Sequence, residues 1–158
     1  MFRLDLVHDL DKETLNKLHL SKKLSDEIKS LRFSNYLRMP TVKKEMHEIF
    51  SSNGFRMKQK VHVDSNIFIS GIKDKVGLCI QMGYKNNWYY DMAKLSLLKS
   101  DNHIKEALII LPSKELEKFC HTSNVATFEL ISERYRIFKN MYKIKPHILK
   151  LDIKQEHS

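Results

Sequence analysis

The spacing of apolar positions changes period along the chain, and each change marks an element. Leu15, Leu18, Leu24, Ile28 and Leu31 recur between charged residues at helical spacing, which predicts one or two amphipathic helices over residues 15–33. Ser25-Asp26-Glu27 reads as a helix start in that stretch. Pro40-Thr41 opens a further helix to about Ser52, with Val42, Met46, Ile49 and Phe50 on one face. Asn53-Gly54 ends it, the glycine in the position after the cap. Residues 55–63 then alternate apolar and polar, the period of a half-buried strand. Residues 66–72 and 76–82 read as two more strands, joined through a tight Lys73-Asp74-Lys75 turn and stopped by Gly83.

Helical spacing returns over residues 87–98, where Met92, Leu95 and Leu98 share a face. Residues 106–111 form a short continuous apolar run stopped by Pro112, which suits a central strand buried on both faces. A short helix over 113–120 follows. A longer one, capped by Asn124 and running to about Tyr142, turns Val125, Phe128, Ile131, Tyr135 and Phe138 inward. Residues 147–153 close as a strand, and 154–158 read as a frayed tail. The order predicts an α/β fold: a mixed central sheet, with an N-terminal β-meander and later parallel strands, flanked by helices on both faces.

At 158 residues with 42% apolar side chains, the chain suits a single domain. Four glycines and three prolines exclude a disordered or collagenous chain. No apolar run approaches the ~18 residues of a membrane span. The first residues reach an acid at Asp5 without an apolar stretch, so they are not read as a secretory signal. Cys79 and Cys120 form no metal or disulfide pattern, so a reducing, cytoplasmic setting is expected. Net charge is +9, and the excess is greatest over residues 51–100, with eight basic groups against three acidic ones. Such a surface attracts polyanions, nucleic acid first among them.

Phosphate-cradling GxxxxGK[ST] and GxGxxG loops are absent, as are HExxH and GxSxG. The informative stretch is Ser70-Gly-Ile-Lys-Asp-Lys-Val-Gly-Leu-Cys79-Ile-Gln81-Met-Gly83. It resembles the BglII/BstYI group of type II restriction endonucleases, within the PD-(D/E)XK nuclease superfamily. In that group a metal-binding Asp on one hairpin strand is followed nine residues later by Glu-x-Gln on the next. The frame is kept at positions 70, 79 and 81, and Gln81 matches. Val76, Leu78, Ile80 and Met82 keep the buried alternation. The resemblance implies a restriction-endonuclease-like core over residues 41–153; residues 1–40 fall outside it and are read as a helical N-terminal extension. It also implies a homodimer by analogy, and Mg²⁺ as the cofactor of any active member.

Both acids are replaced, Asp by Ser70 and Glu by Cys79. Hard Mg²⁺ takes carboxylate oxygens, whereas a hydroxyl is a weak ligand and a thiol is soft and mostly protonated. No cofactor is therefore expected unless other acids substitute. Glu48 is the foremost substitute, with Asp64 and Asp74 behind it. Asp74 reads more simply as a turn residue, and Asp91 is expected to face solvent.

Arg56, Lys58 and Lys60 on one strand, Lys73 and Lys75 at the turn, and Tyr84 and Lys85 after the site strand form the expected DNA-binding set. Three functions follow. The foremost is a catalytically impaired nuclease-fold protein that binds duplex DNA. The second is a pseudo-nuclease serving as an inhibitor or other protein-interaction module. The third is an active Mg²⁺-dependent endonuclease with relocated acids.

Overall fold

A computed structural model describes residues 1–157. Its centre is a seven-stranded sheet made of β1 (Phe2–Val7), β2 (Arg32–Phe33), β3 (Arg56–Lys60), β4 (Phe68–Lys73), β5 (Val76–Ile80), β6 (Glu106–Pro112) and β7 (His147–Gln155). The spatial order is β2-β1-β7-β6-β5-β4-β3. β3, β4 and β5 form the antiparallel meander, and β5, β6 and β7 are parallel, as expected of strands joined through helices.

The helices are α1 (Lys12–Lys17), α2 (Lys22–Ser30), α3 (Met39–Ser52), α4 (Asn87–Ser100), α5 (Lys114–Phe119) and α6 (Phe128–Phe138), with a 3₁₀ turn over Lys139–Met141. β6 is central, and its apolar run feeds two cores. Leu108 and Ile110 pack with Leu24, Ile28, Val42, Met46 and Phe50 from α2 and α3. Ala107, Ile109 and Leu111 pack with Trp88, Met92, Leu95 and Leu98 of α4 and Ile131 of α6. Gly77 lets α4 approach β5, because a Cβ there would stand 2.9 Å from Ile104 and 3.1 Å from Leu95. Gly54, at φ +92°, supplies the left-handed residue that stops α3.

Four sequence expectations are corrected. Residues 1–40 are not a helical extension: β1 lies inside the sheet, paired antiparallel with β7 over six positions. Its Asp5 is buried because Lys154 donates to it at 2.8 Å, and this pairing lets an acid occupy a covered strand. The supposed frayed tail is strand as far as Gln155, with the Glu156 N–H bonded to Met1 O; Ser158 lies outside the described residues. The helix around Leu24 starts at Ser21, whose hydroxyl accepts from the Leu24 N–H. The late helix is capped by Thr127 rather than Asn124, which adopts φ +59° and offers its carbonyl to the Lys85 N–H.

Candidate nucleic-acid interface

The meander, α3 and α4 enclose a cleft of about 380 Å³ at the end of β5, lined by Ser70, Cys79, Gln81, Gly83, Lys43, His47, Lys58, Asp91 and Lys94 among others. All three positions of the sequence frame are therefore gathered in one place. The β4–β5 register is paired from Lys73–Val76 to Gly71–Leu78. One step further, the Ser70 hydroxyl accepts from the Ile80 N–H at 2.8 Å, so Ser70 holds the strand amide where the hairpin opens.

Cys79 points to the α4 side, where it packs with Trp88, Met92 and Leu95. Burial pushes its thiol well above the ordinary range, and the Asp91 charge pushes further the same way. Gln81 turns its amide toward Asp91, to which Nε2 donates, and accepts from the Gly83 N–H through Oε1 at 2.9 Å. Its carboxamide is fixed by α4 and by the loop that follows β5.

Asp91 is the acid of the cleft and is only 5% exposed, contrary to the expectation that it faces solvent. Its burial is sustained by Lys94, one helical turn away, whose Nζ lies 3.0 Å from Oδ1. Lys94 also donates to the Phe68 carbonyl at 2.9 Å and lies 4.8 Å from the centre of the Tyr90 ring. From α3, Lys43 and His47 face the cleft one turn apart. His47 Nε2 is buried without a hydrogen-bond partner, and burial, aided by the Lys43 charge, holds the imidazole below its usual pKa. Sequence reasoning missed Lys43 and His47. The signal was their i, i+4 spacing on the helix preceding the meander.

Glu48, expected as the foremost substitute acid, is exposed and does not line the cleft. Asp64 and Asp74 are also exposed and away from it. Asp74 and Lys75 form the two-residue hairpin loop, both at positive φ (43° and 68°).

The basic residues of the expected DNA-binding set divide into groups. Lys58 lines the cleft, while Arg56 and Lys60 border a separate hollow with His62 and His103. Lys73 and Lys75 sit at the opposite end of the hairpin, roughly 15 Å from the cleft at strand rise, and bond the carbonyls of Asn53 and Asn102. Tyr84 is 53% exposed in the loop beyond Gly83, with Lys85 beside it.

A divalent ion would find one carboxylate here, and that one is already neutralised by Lys94 and bonded by Gln81. Among the described residues no cluster of three or more His, Cys, Asp or Glu side chains is placed to hold a metal ion. The donor set does not fit Mg²⁺, which takes anionic and neutral oxygens in a near-octahedral shell.

No curated protein matches the chain. Among solved structures it is similar to the crystal structure of the restriction endonuclease BglII complexed with a DNA 16-mer. The TM-score is 0.62 at 11% identity, covering 100% of this chain and 80% of that one. At that identity the likeness establishes the fold. The family model "Restriction endonuclease BglII/BglIII" matches residues 5–144, and with nearly the whole chain inside it, this protein belongs to the BglII/BglIII restriction endonuclease family.

Proposed function

We propose that the protein binds duplex DNA through the cleft between α3 and α4 and its basic surroundings, and that metal-dependent cleavage is impaired. The carrying observation is the charge of the cleft. Lys43 and Lys58 face it, while the acid that lines it, Asp91, is neutralised by Lys94. A site that is cationic without a metal suits a phosphate. The family and the DNA-bound relative of the same fold support this reading. The relocated-acid alternative loses support, because Glu48, Asp64 and Asp74 do not meet at the cleft.

Anisotropy of a labelled mixed-sequence duplex tests the reading, in EDTA and then with Mg²⁺. Binding in EDTA is expected, weakening about 10³–10⁵-fold between ~50 and ~200 mM salt, as 6–10 phosphate contacts require. No binding at ~50 mM salt and micromolar protein would remove the DNA reading. Cleavage on adding Mg²⁺ would remove the impairment.

A protein-interaction role has one observation in its favour. Ile137 and Met141, at the end of α6 and in the 3₁₀ turn, are 67% and 72% exposed and would suit the apolar centre of a dimer or partner contact. Sedimentation of the wild type against Ile137→Asp decides whether that edge carries self-association.

A further inference from the structure

We propose that the Lys94 ammonium is a tethered cation standing where a divalent ion would have to sit in this cleft, so that the site is closed to a metal and a phosphate there is left to Lys43 and Lys58. The inference deepens the reading of the cleft given above and rests on it.

Lys94 Nζ is held by an anionic carboxylate oxygen of Asp91 at 3.0 Å and by the carbonyl oxygen of Phe68 at 2.9 Å. Carboxylate and carbonyl oxygens are the donor types that a hard divalent cation takes from a protein. The Tyr90 ring, 4.8 Å from Nζ, adds an attractive π face to the same ammonium. The carbonyl comes from the start of β4, beyond the last β4–β5 register pair at Gly71–Leu78, where β5 offers no strand partner. The other Asp91 oxygen is occupied by the Gln81 amide. An arriving ion would have to displace an ammonium covalently fixed one helical turn from its carboxylate, and would find no second carboxylate. Ser70, engaged by the Ile80 N–H, and Cys79, a neutral buried thiol beside the same pair, add no anionic ligand.

The experiment uses Mn²⁺ as the probe, on the full chain without DNA, so that failure of DNA binding and failure of this inference are read separately. Calorimetric titration of the wild type is expected to show no saturable site. Lys94→Gln, checked for fold by circular dichroism, is expected to gain one Mn²⁺ equivalent, and Lys94→Gln combined with Asp91→Asn to lose it again. A wild-type site that Asp91→Asn abolishes would overturn the proposal, as would a folded Lys94→Gln variant that binds no Mn²⁺. Because Lys94→Gln strands a buried carboxylate and can fail to fold, a second measurement decides on the wild type alone. Paramagnetic broadening of the Gln81, Asp91 and Lys94 amides by Mn²⁺ would overturn the proposal. Sharp signals there under excess Mn²⁺ would uphold it.

Discussion

Lys58 and Ser70 stand opposite each other across β3 and β4 without completing the ladder between them. The register pairs Met57 with Gly71 and Gln59 with Ile69, and the position between is interrupted because Lys58 adopts φ +53°. A left-handed lysine costs on the order of 1 kcal/mol relative to a residue without a Cβ. Here the twist goes with a side chain that lines the cleft and lies over the Phe68 ring, with Nζ 5.2 Å from its centre. Strain held at one residue beside a candidate site accords with a functional demand on that residue.

Lys58→Gly should therefore change stability little while weakening DNA binding. The relieved strain, on the order of 1 kcal/mol, is offset in urea denaturation by the ~0.5–1 kcal/mol of an exposed cation–π contact and the roughly 0.5–1 kcal/mol of backbone entropy that a strand glycine costs. Lys58→Ala keeps the strain and loses the contact, so it should be slightly destabilised. Both variants should lower the salt slope of DNA binding by about 0.9, the share of one phosphate contact. Unchanged slopes in both would place Lys58 outside the interface.

His47 predicts a pH dependence. Its folded pKa is depressed, by burial first and by Lys43 second, so the imidazole is mostly neutral at pH 7 and charges below the ordinary 6.5. Lys43, Lys58 and Lys94 line the same cleft, Lys43 opposing that charge and Lys94 paired with Asp91, the acid there. A phosphate in the cleft would favour the protonated form, so duplex affinity should rise as pH falls from 7.5 to 5.5, and His47→Gln should flatten part of that rise. For stability the sign is opposite. A depressed pKa means the unfolded chain binds the proton more readily, so this contribution is present above about pH 6.5 and is lost as pH falls through the folded value. Urea midpoints at pH 7 and 5 should fall less in His47→Gln than in the wild type. Parallel profiles would show that His47 is not the titrating group.

Leu4 tests whether the first strand is integral to the fold. It is fully buried in the core shared with α2 and α3, on a strand flanked by β2 and β7. Leu4→Ala should cost about 2–5 kcal/mol, as large-to-small changes in packed cores do. A dispensable extension would give a loss within ~0.5 kcal/mol, as at an ordinary surface site.

The same strand shows where the sequence was legible and where it was not. The meander and the β6 run could be read because period two and an uninterrupted apolar run are local signals. β1 carries the same period, Phe2-Arg3-Leu4-Asp5-Leu6, but over too few residues to place it inside the sheet, and the lysine that neutralises Asp5 on its covered face, Lys154, lies at the other end of the chain. The site divides in the same way. Ser70, Cys79 and Gln81 lie on one hairpin, and their spacing places them together. Asp91 and Lys94 sit on a helix whose aromatic N-terminal turn carries no sign of a buried carboxylate. Only the packing of α4 across β5 at Gly77 brings the pair into the cleft. Glu48, the expected substitute acid, misses the cleft that its neighbour His47 faces by a rotation of one residue, about 100° around α3, which periodicity alone does not resolve to that accuracy.

The cysteines give the last prediction. Cys79 is enclosed by the α4 core, and its thiol is held well above the ordinary range by burial and by the Asp91 charge; Cys120, at the end of α5, is pushed up to about 11 by burial. Thiolate is the reactive species, so both side chains should be neutral and shielded at pH 8. Ellman's reagent should label neither rapidly in the native protein and both in urea. Cys79→Ser should leave the native trace unchanged, because the site it empties was silent. Rapid labelling of one thiol in the native state, lost in Cys79→Ser, would mean that the cleft opens to the sulfur. The reading of Cys79 as a packed apolar residue beside the Asp91–Lys94 pair would then give way to one in which it meets ligand directly.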